Sequence, residues 1–290
     1  MSREKDNTSH KLFAEPGLDF FAKRTFLPLL ISLCLMAGSC QQKNKTPEKA
    51  GIAISFDDHF IDEWYTLRPL FQKYDAKVTF FITCGDSLKK DEIEKLKQLQ
   101  TDGHEIGFHG TIHGKSTELI AHGVGKYVET ELTPGMKWMA EAGFNPTSYA
   151  HPGGNHDAQV DSVLLASGFK ILRDVAISRR VFRGIPLYTL APRIMDWIYY
   201  KFDQESVVDA LLIDQDSEIT ESEIKDAIIK ARESNTALMV FGHEPLYAKP
   251  VNGEYGFNVS FLETILKEAK AQNLKFYTMT ELVETGTSTK

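Results

Sequence analysis

An α/β fold built around a parallel sheet is the architecture that this sequence predicts. From Gly51 onward, short runs rich in β-branched and aromatic residues alternate with longer stretches in which apolar residues recur at helical spacing. This alternation favours parallel strands covered by helices, arranged either as an open sheet or as a barrel. No segment repeats at a period of about 20 to 50 residues, so a solenoid is excluded.

The elements can be assigned in order along the chain. The predicted strands are GIAISF (51–56), KVTFFI (77–82), EIGF (105–108), SYA (148–150), FKIL (169–172), ALMVF (237–241) and KFYT (275–278). The predicted helices are WYTLRPLFQKY (64–74), DEIEKLKQLQ (91–100), a stretch ending near EAGF (141–144), DAQVDSVLLASG (157–168), ESEIKDAIIKARES (221–234) and FLETILKEAKAQN (261–273). Between Ala176 and Asp216 the pattern places no element boundary.

The composition is that of a globular protein, with 42% hydrophobic and 25% charged residues in a chain of 290. That length is enough to bury one substantial core. The formal net charge is −7, which gives no basic surface to follow nucleic acid phosphates. Nucleic acid is therefore not an expected partner.

Residues 1–40 are predicted to be a secretory leader rather than part of the fold. Lys23 and Arg24 precede the apolar run 26–36, which is short for a bilayer span but suits the core of a signal peptide. Small residues then lead into Cys40, an order that resembles a bacterial lipoprotein signal. Cys40 is the expected site of lipidation, and a short buried helix is the structural alternative. The expected location is the cell envelope, with a lipid anchor on a membrane facing the periplasm or the cell surface.

A polar linker is predicted over residues 41–50, followed by one domain over 51–285 and a tail over 286–290. If Cys40 is lipidated and the leader is removed, the domain keeps Cys84 alone. A single cysteine cannot form an internal disulfide, so the fold must depend on its core.

Polar residues follow the predicted strands at their carboxyl ends. In parallel α/β folds these ends meet, and ligands bind there. The groups are Asp57, Asp58 and His59 after the first strand, His109 and His113 after EIGF, His151 after SYA, and His243 and Glu244 after ALMVF. In HGTIH, two histidines four residues apart can face one cation, and a carboxylate from another strand would complete a two-histidine, one-carboxylate set. Taken alone, the histidine pair is equally consistent with structural or surface histidines, and the aspartate pair with a turn or a helix N-cap.

Together these motifs resemble those of the polysaccharide deacetylases of the NodB-homology type, carbohydrate esterases that remove acetyl groups from sugars. SFDD resembles the first motif of that family and HGTIH the second, while AKVTFFI and DGHEIGFH resemble the sequences that flank them. The resemblance extends from about Gly51 to Val283. It implies a distorted (β/α) barrel of about seven parallel strands.

The resemblance also implies roles for individual residues. Asp58, His109 and His113 are expected to bind a divalent metal, zinc in the first place and cobalt or nickel as alternatives. Asp57 is expected to be the general base. His243, in LMVFGHEP, matches the histidine that serves as general acid for the leaving group.

The third motif departs from the common pattern. The chain reads YAHPGG, with Ala150 where many members have an arginine. One branch of the family has its arginine later, in a phrase like Leu-Pro-Arg, and TLAPRI supplies Arg193 in that context. Arg193 is therefore expected beside Asp57, where it would keep the base ionised. His151, Pro152 and Gly153 are the expected substrate-binding residues.

The segment MDW (195–197) resembles the fourth motif, whose aspartate tunes the acid histidine. Asp196 and Asp174 are equal candidates for that aspartate.

The function that the resemblance implies is metal-dependent removal of N- or O-linked acetyl groups from an envelope or extracellular polysaccharide. An acetylated glycan is accordingly the expected partner. A carbohydrate-binding lipoprotein that has lost catalysis is one alternative, and an amidohydrolase of a small non-sugar amide is another.

Overall fold

The structure, a computed structural model, describes residues 49–182, 185–248 and 255–287, with the backbone alone described at 180–182, 185–188 and 286–287. The predicted leader with Cys40, most of the predicted linker and the last residues of the predicted tail lie outside the described residues. In the described part of the chain, no helix is both long enough and apolar enough to cross a membrane.

Strands and helices alternate through the described chain. The strands are β1 (Gly51–Asp58), β2 (Thr79–Ile82), β3 (Glu105–Phe108), β4 (Ser148–Ala150), β5 (Ile171–Ala176), β6 (Arg179–Phe182), β7 (Ile185–Thr189), β8 (Tyr199–Tyr200), β9 (Val207–Leu212), β10 (Ala237–Gly242), β11 (Glu244–Leu246), β12 (Gly256–Asn258) and β13 (Lys275–Tyr277). The α-helices are α1 (Ile61–Thr66), α2 (Arg68–Tyr74), α3 (Lys90–Thr101), α4 (Ser116–Ala121), α5 (Val124–Tyr127), α6 (Thr133–Glu141), α7 (Ala158–Ala166), α8 (Glu221–Ser234), α9 (Val259–Ala271) and α10 (Met279–Thr287). A π-helical turn (Val128–Leu132) joins α5 to α6.

Seven parallel strands close into a barrel in the order β1, β2, β3, β4, β5, β9, β10 and back to β1. The closure is distorted at the amino ends of the strands. There β13 pairs with the start of β1, and β8 runs antiparallel to the start of β10. The predicted barrel of about seven parallel strands is confirmed.

Apolar residues fill two layers. Alternate residues of the barrel strands point inward and form an inner core that includes Phe81, Ala150, Ile171 and Phe241. The opposite faces of the strands pack against the helices in a larger outer core. Because the barrel interior is filled with side chains, ligands can approach only at its ends.

The structure adds several short elements to the sequence-based assignment and differs from it in two larger features, a divided helix and an additional barrel strand. The predicted helix over 64–74 is two helices, α1 and α2, because the chain breaks at Leu67, just before the Arg68-Pro69 pair. Strand β9, which completes the barrel, lies in the segment 176–216, where the pattern placed no boundary. Its sequence VVDALL is a short apolar run with one aspartate, too weak a signal to mark a strand by itself.

Candidate active site

The three predicted metal ligands lie together at the carboxyl ends of β1 and β3. Asp58 Oδ1 is 3.6 Å from His109 Nε2 and 3.5 Å from His113 Nε2. Ligand atoms that share one zinc ion at bonds of about 2.0–2.2 Å are separated by about 3.4 Å in a tetrahedron. The three side chains therefore fit a zinc ion, with a fourth position left for water or substrate.

The tautomer and the charge of His109 also suit a metal ligand. Its Nδ1 lies 2.9 Å from the carbonyl oxygen of Ala150, which can only accept, so Nδ1 carries the hydrogen and Nε2 presents its lone pair to Asp58. Burial lowers the pKa of His109 to about 4, so the ring is neutral. A neutral imidazole whose second nitrogen donates to a carbonyl is the usual form of a histidine ligand.

A buried glutamate shapes the loop that carries His113. The Glu131 carboxylate, on the π-helical turn, accepts hydrogen bonds from the backbone N–H groups of Ile112 at 3.3 Å and Gly114 at 3.2 Å. Burial raises the pKa of Glu131 to about 7. A side chain at Gly110 would lie 2.0 Å from Glu131 Oε1, and its φ of +81° also favours glycine. The glycine in HGTIH is thus required by the turn between the two ligands.

Asp57, the predicted base, is buried beside a guanidinium that belongs to Arg173. The ion pair joins Arg173 Nη2 to Asp57 Oδ2, and both side chains are buried. Burial by itself would raise the pKa of Asp57, but Arg173, with His109 and His243 nearby, holds that pKa below its usual value. Asp57 Oδ1 has no hydrogen-bond partner among the described residues, so one oxygen of an ionised carboxylate is left to accept a proton.

The predicted position of Arg193 beside Asp57 is wrong. Arg193 lies in a 3₁₀ turn (Pro192–Ile194) against α8, where its Nη2 is 3.0 Å from Glu233 Oε2 and its Nη1 donates to the Asp226 carbonyl. Both partners are exposed. The short phrase around Arg193 matched the family pattern, but the turn that carries it packs on the outside of the barrel.

The guanidinium beside Asp57 belongs instead to Arg173, on the strand next to the altered third motif. Ala150 on β4 pairs in register with Arg173 on β5, and both side chains point into the barrel. The Arg173 guanidinium carbon lies 4.1 Å from the centroid of the Phe241 ring and 5.5 Å from that of Phe81, which supply cation–π contacts. A charged residue inside the apolar run FKILRDVA was the signal that could have found it.

His243, the predicted acid, is oriented by Asp214. Its Nδ1 donates to Asp214 Oδ2 at 2.6 Å, and its backbone N–H lies 3.2 Å from Asp214 Oδ1. Burial alone would lower the pKa of His243, but the Asp214 carboxylate raises it above the usual value. The carboxylate thus favours the protonated form of the ring, whose Nε2 is free of Asp214.

Neither predicted candidate for that aspartate takes the role. Asp196 is exposed and pairs with Lys230, and Asp174 pairs with His156. Asp214 directly follows β9, so it obeys the rule that polar groups follow the strands. The sequence did not predict the role of Asp214, because it did not predict β9.

The third motif contributes less to the open site than expected. The side chain of His151 is fully buried, Pro152 is also buried, and the His151 ring packs against the rings of Tyr149 and His156. The prediction that His151 contacts substrate is therefore wrong, because its side chain has no accessible surface, and a contact of Pro152 with substrate stays a prediction. Gly153 is exposed, and its contact with substrate stays a prediction.

Tyr255, which the sequence did not single out, supports the predicted metal ligand. Its hydroxyl donates to Asp58 Oδ2 at 2.5 Å, while Asp58 Oδ1 faces the two histidines. Its ring packs edge-on against Phe60 and His243. A hydrogen bond to the oxygen that does not face the histidines orients the carboxylate.

Replacing Tyr255 by phenylalanine is expected to weaken zinc binding by about 10- to 100-fold, because the ring contacts remain and only the support of Asp58 is lost. Competition against a chromophoric chelator measures the effect. Tyr247→Phe is the matched control, since the Tyr247 hydroxyl contacts Thr66 at 3.2 Å and its side chain is exposed. Equal affinities in the two variants would contradict the role of the Tyr255 hydroxyl.

Comparisons with known proteins agree on the type of domain. Residues 43–172 match the family model described as polysaccharide deacetylase. A search of curated proteins found no match.

The solved structures to which the chain is similar have low sequence identity to it. Peptidoglycan deacetylase PdaC from Bacillus subtilis is 18% identical, with 83% of this chain and 93% of that chain covered and a TM-score of 0.48. The Xyl-CE4 domain of a multidomain xylanase from the hindgut metagenome of Trinervitermes trinervoides is 15% identical, with 82% of this chain and 91% of that chain covered and a TM-score of 0.47. The catalytic domain of a peptidoglycan N-acetylglucosamine deacetylase from Eubacterium rectale is 16% identical, with coverages of 82% and 92% and a TM-score of 0.48.

The match over residues 43–172 covers the aspartate pair and both histidines of the predicted metal site. The chain thus contains a domain, over these residues, that matches the polysaccharide deacetylase family model.

Proposed function

We propose that this protein is a metal-dependent hydrolase that removes N- or O-linked acetyl groups from a polysaccharide of the cell envelope or the extracellular space. One observation carries the proposal. An ionised base, a protonated acid and a zinc-type ligand set meet at one end of the barrel, although they come from widely separated parts of the chain. A carbohydrate-binding site needs no such combination.

The protonation states of the two proton-transfer groups match their roles. The pKa of Asp57 is lowered and that of His243 is raised, so the surroundings favour the ionised form of the base and the protonated form of the acid. Each group also influences the pKa of the other, which means that they lie close together. Such a pair can act on two sides of one acetyl group.

Asp57 would begin the reaction by accepting a proton on Oδ1 from the water that attacks the acetyl carbonyl carbon. Its other oxygen stays in the ion pair with Arg173, which keeps the carboxylate in place. His243 would then give a proton to the departing nitrogen or oxygen as the bond to the acetyl carbon breaks. The products are acetate and a free amine or hydroxyl on the glycan.

Asp58, His109 and His113 would hold the divalent cation, whose chemical contribution when bound is to acidify water and polarise the acetyl carbonyl. Zinc is the metal that this ligand set favours, with cobalt and nickel as substitutes. The proposed envelope location rests on the leader-like residues 1–40 and the candidate lipidation site at Cys40.

Acetate release from acetylated glycans tests the proposal. With a panel of N-acetylglucosamine oligomers, peptidoglycan and acetylated xylan, we expect at least one substrate to release acetate, because base, acid and ligand set are all present. Treatment with a chelator should abolish the release, and zinc or cobalt should restore it. Asp57→Asn is the matched inactive variant. Retention of a glycan without acetate release, with metal bound, would instead favour a binding protein.

A further inference from the structure

A second group of histidine and aspartate side chains lies outside the site described above. His151 follows β4, His156 lies in the loop before α7, Asp161 is in the first turn of α7, and Asp174 is on β5. Asp157 caps α7 by accepting from two backbone N–H groups, which fixes where Asp161 lies. None of the four grouped side chains belongs to the triad of Asp58 and its two histidines.

Asp161 Oδ1 lies close to two imidazole nitrogens, 3.2 Å from His151 Nε2 and 2.9 Å from His156 Nδ1. The two rings stack with centroids 4.2 Å apart and planes 15° from parallel. The two nitrogen–oxygen distances are somewhat shorter than the separation of about 3.4 Å between ligand atoms of one tetrahedral zinc ion. The three side chains still lie close enough together for a two-histidine, one-carboxylate ligand set.

Asp174 occupies the place of a supporting carboxylate. Its Oδ2 lies 2.9 Å from His156 Nε2, the nitrogen on the far side of the ring from Asp161. Histidine ligands commonly donate their second N–H to a carboxylate, which fixes the tautomer and the ring orientation. With the hydrogen on Nε2, His156 would present the lone pair of Nδ1.

His151 provides an independent observation. Its side chain is fully buried, Nδ1 has no hydrogen-bond partner among the described residues, and Nε2 lies 3.2 Å from Asp161 Oδ1. A buried imidazole that is poorly hydrogen-bonded is unfavourable, and a cation beside Asp161 would give its Nε2 a partner.

We infer that His151, His156 and Asp161 bind a second divalent cation of the zinc type, with Asp174 as the supporting carboxylate. The site can be reached from solvent, because His156, Asp161 and Asp174 keep 19%, 15% and 23% of their side chains exposed. A dication would also balance the charge of the two carboxylates. The inference concerns metal binding alone and does not rest on the proposed deacetylase activity.

A proton is the competing occupant. Asp174 and Asp161 raise the pKa of His156 to about 9, so without a cation this histidine would be protonated between the two carboxylates. Metal binding would then release that proton. The two arrangements predict different numbers of bound ions.

The test is the number of zinc ions per folded chain after dialysis against buffered free zinc, measured by plasma mass spectrometry. We expect two ions in the unaltered protein, one in Asp58→Asn, one in Asp161→Asn and none in the double variant. Asp196→Asn, which removes an exposed carboxylate paired with Lys230, is the matched control and should keep two. One ion in the unaltered protein, or two in Asp161→Asn, would overturn the inference.

A second measurement avoids dependence on the folding of Asp161→Asn. In the Asp58→Asn protein, cobalt titration should produce one visible absorption band from the remaining ion. Adding Asp174→Asn should weaken that cobalt binding by about 10- to 100-fold without abolishing it. No cobalt band in folded Asp58→Asn would reject the second site, whatever the result for acetate release.

Discussion

Replacing Arg173 by methionine is expected to lower kcat/KM for deacetylation by at least about 100-fold, which lies within the usual contribution of a general base. Without the guanidinium, burial raises the pKa of Asp57, so the base is protonated over more of the acidic range. The acid limb of the pH–rate profile should therefore move to higher pH. The free energy of unfolding of the variant should also be lower by about 3–5 kcal/mol, because the Asp57 carboxylate is left buried without its partner. Urea denaturation and the pH profile measure the two effects separately.

Two further variants distinguish a specific role of Arg173 from general damage. Arg193→Ala is the control, because that guanidinium pairs with exposed Glu233, and it should retain full activity. The double variant Ala150→Arg/Arg173→Ala moves the guanidinium from β5 to the paired position on β4. Its activity should be at least about tenfold higher than that of Arg173→Ala alone. The two positions face the barrel interior at the same register. If Arg193→Ala is inactive while Arg173→Met is active, the assignment of the guanidinium is wrong.

Replacing Asp214 by asparagine is expected to move the alkaline limb of the kcat/KM profile to lower pH. The sign follows from the carboxylate, which raises the pKa of His243 and so keeps the acid protonated to higher pH. Without that charge, His243 loses its proton earlier as the pH rises. At pH 8 the rate should fall by about 10- to 100-fold.

Asparagine preserves the shape of Asp214 and can still accept from the His243 backbone N–H, so the loop should keep its position. Asp196→Asn is the matched control, since that exposed carboxylate does not contact His243. If neither the alkaline limb nor the rate changed in Asp214→Asn, His243 would not be the acid. A fall in rate with no change of the limb would indicate that Asp214 only positions the ring.

Local patterns predicted much of the architecture. Alternating strands and helices predicted the α/β class, and the family resemblance predicted the barrel, which the closed strand order confirms. Asp57, Asp58, His109 and His113 could be identified because each sits in a short motif at the end of a strand. Such motifs depend on neighbours within a few residues, and a sequence displays those neighbours directly.

Local patterns could not predict contacts between residues that lie far apart in the sequence. Arg193 was chosen over Arg173 because a three-residue phrase matched, whereas the register of β4 against β5 decides which guanidinium enters the barrel. Asp214 depended on β9, whose apolar signal was too weak to place. Tyr255 contacts Asp58 across 197 residues, and no local feature announces that contact.

By itself, the sequence determined which side chains could carry the chemistry and at which strand ends they stand, since periodicity and motif spacing act over short distances. Only the tertiary structure decided which charges neutralise each other in the interior. A buried charge is stable only beside its partner, and barrel closure and strand register select that partner.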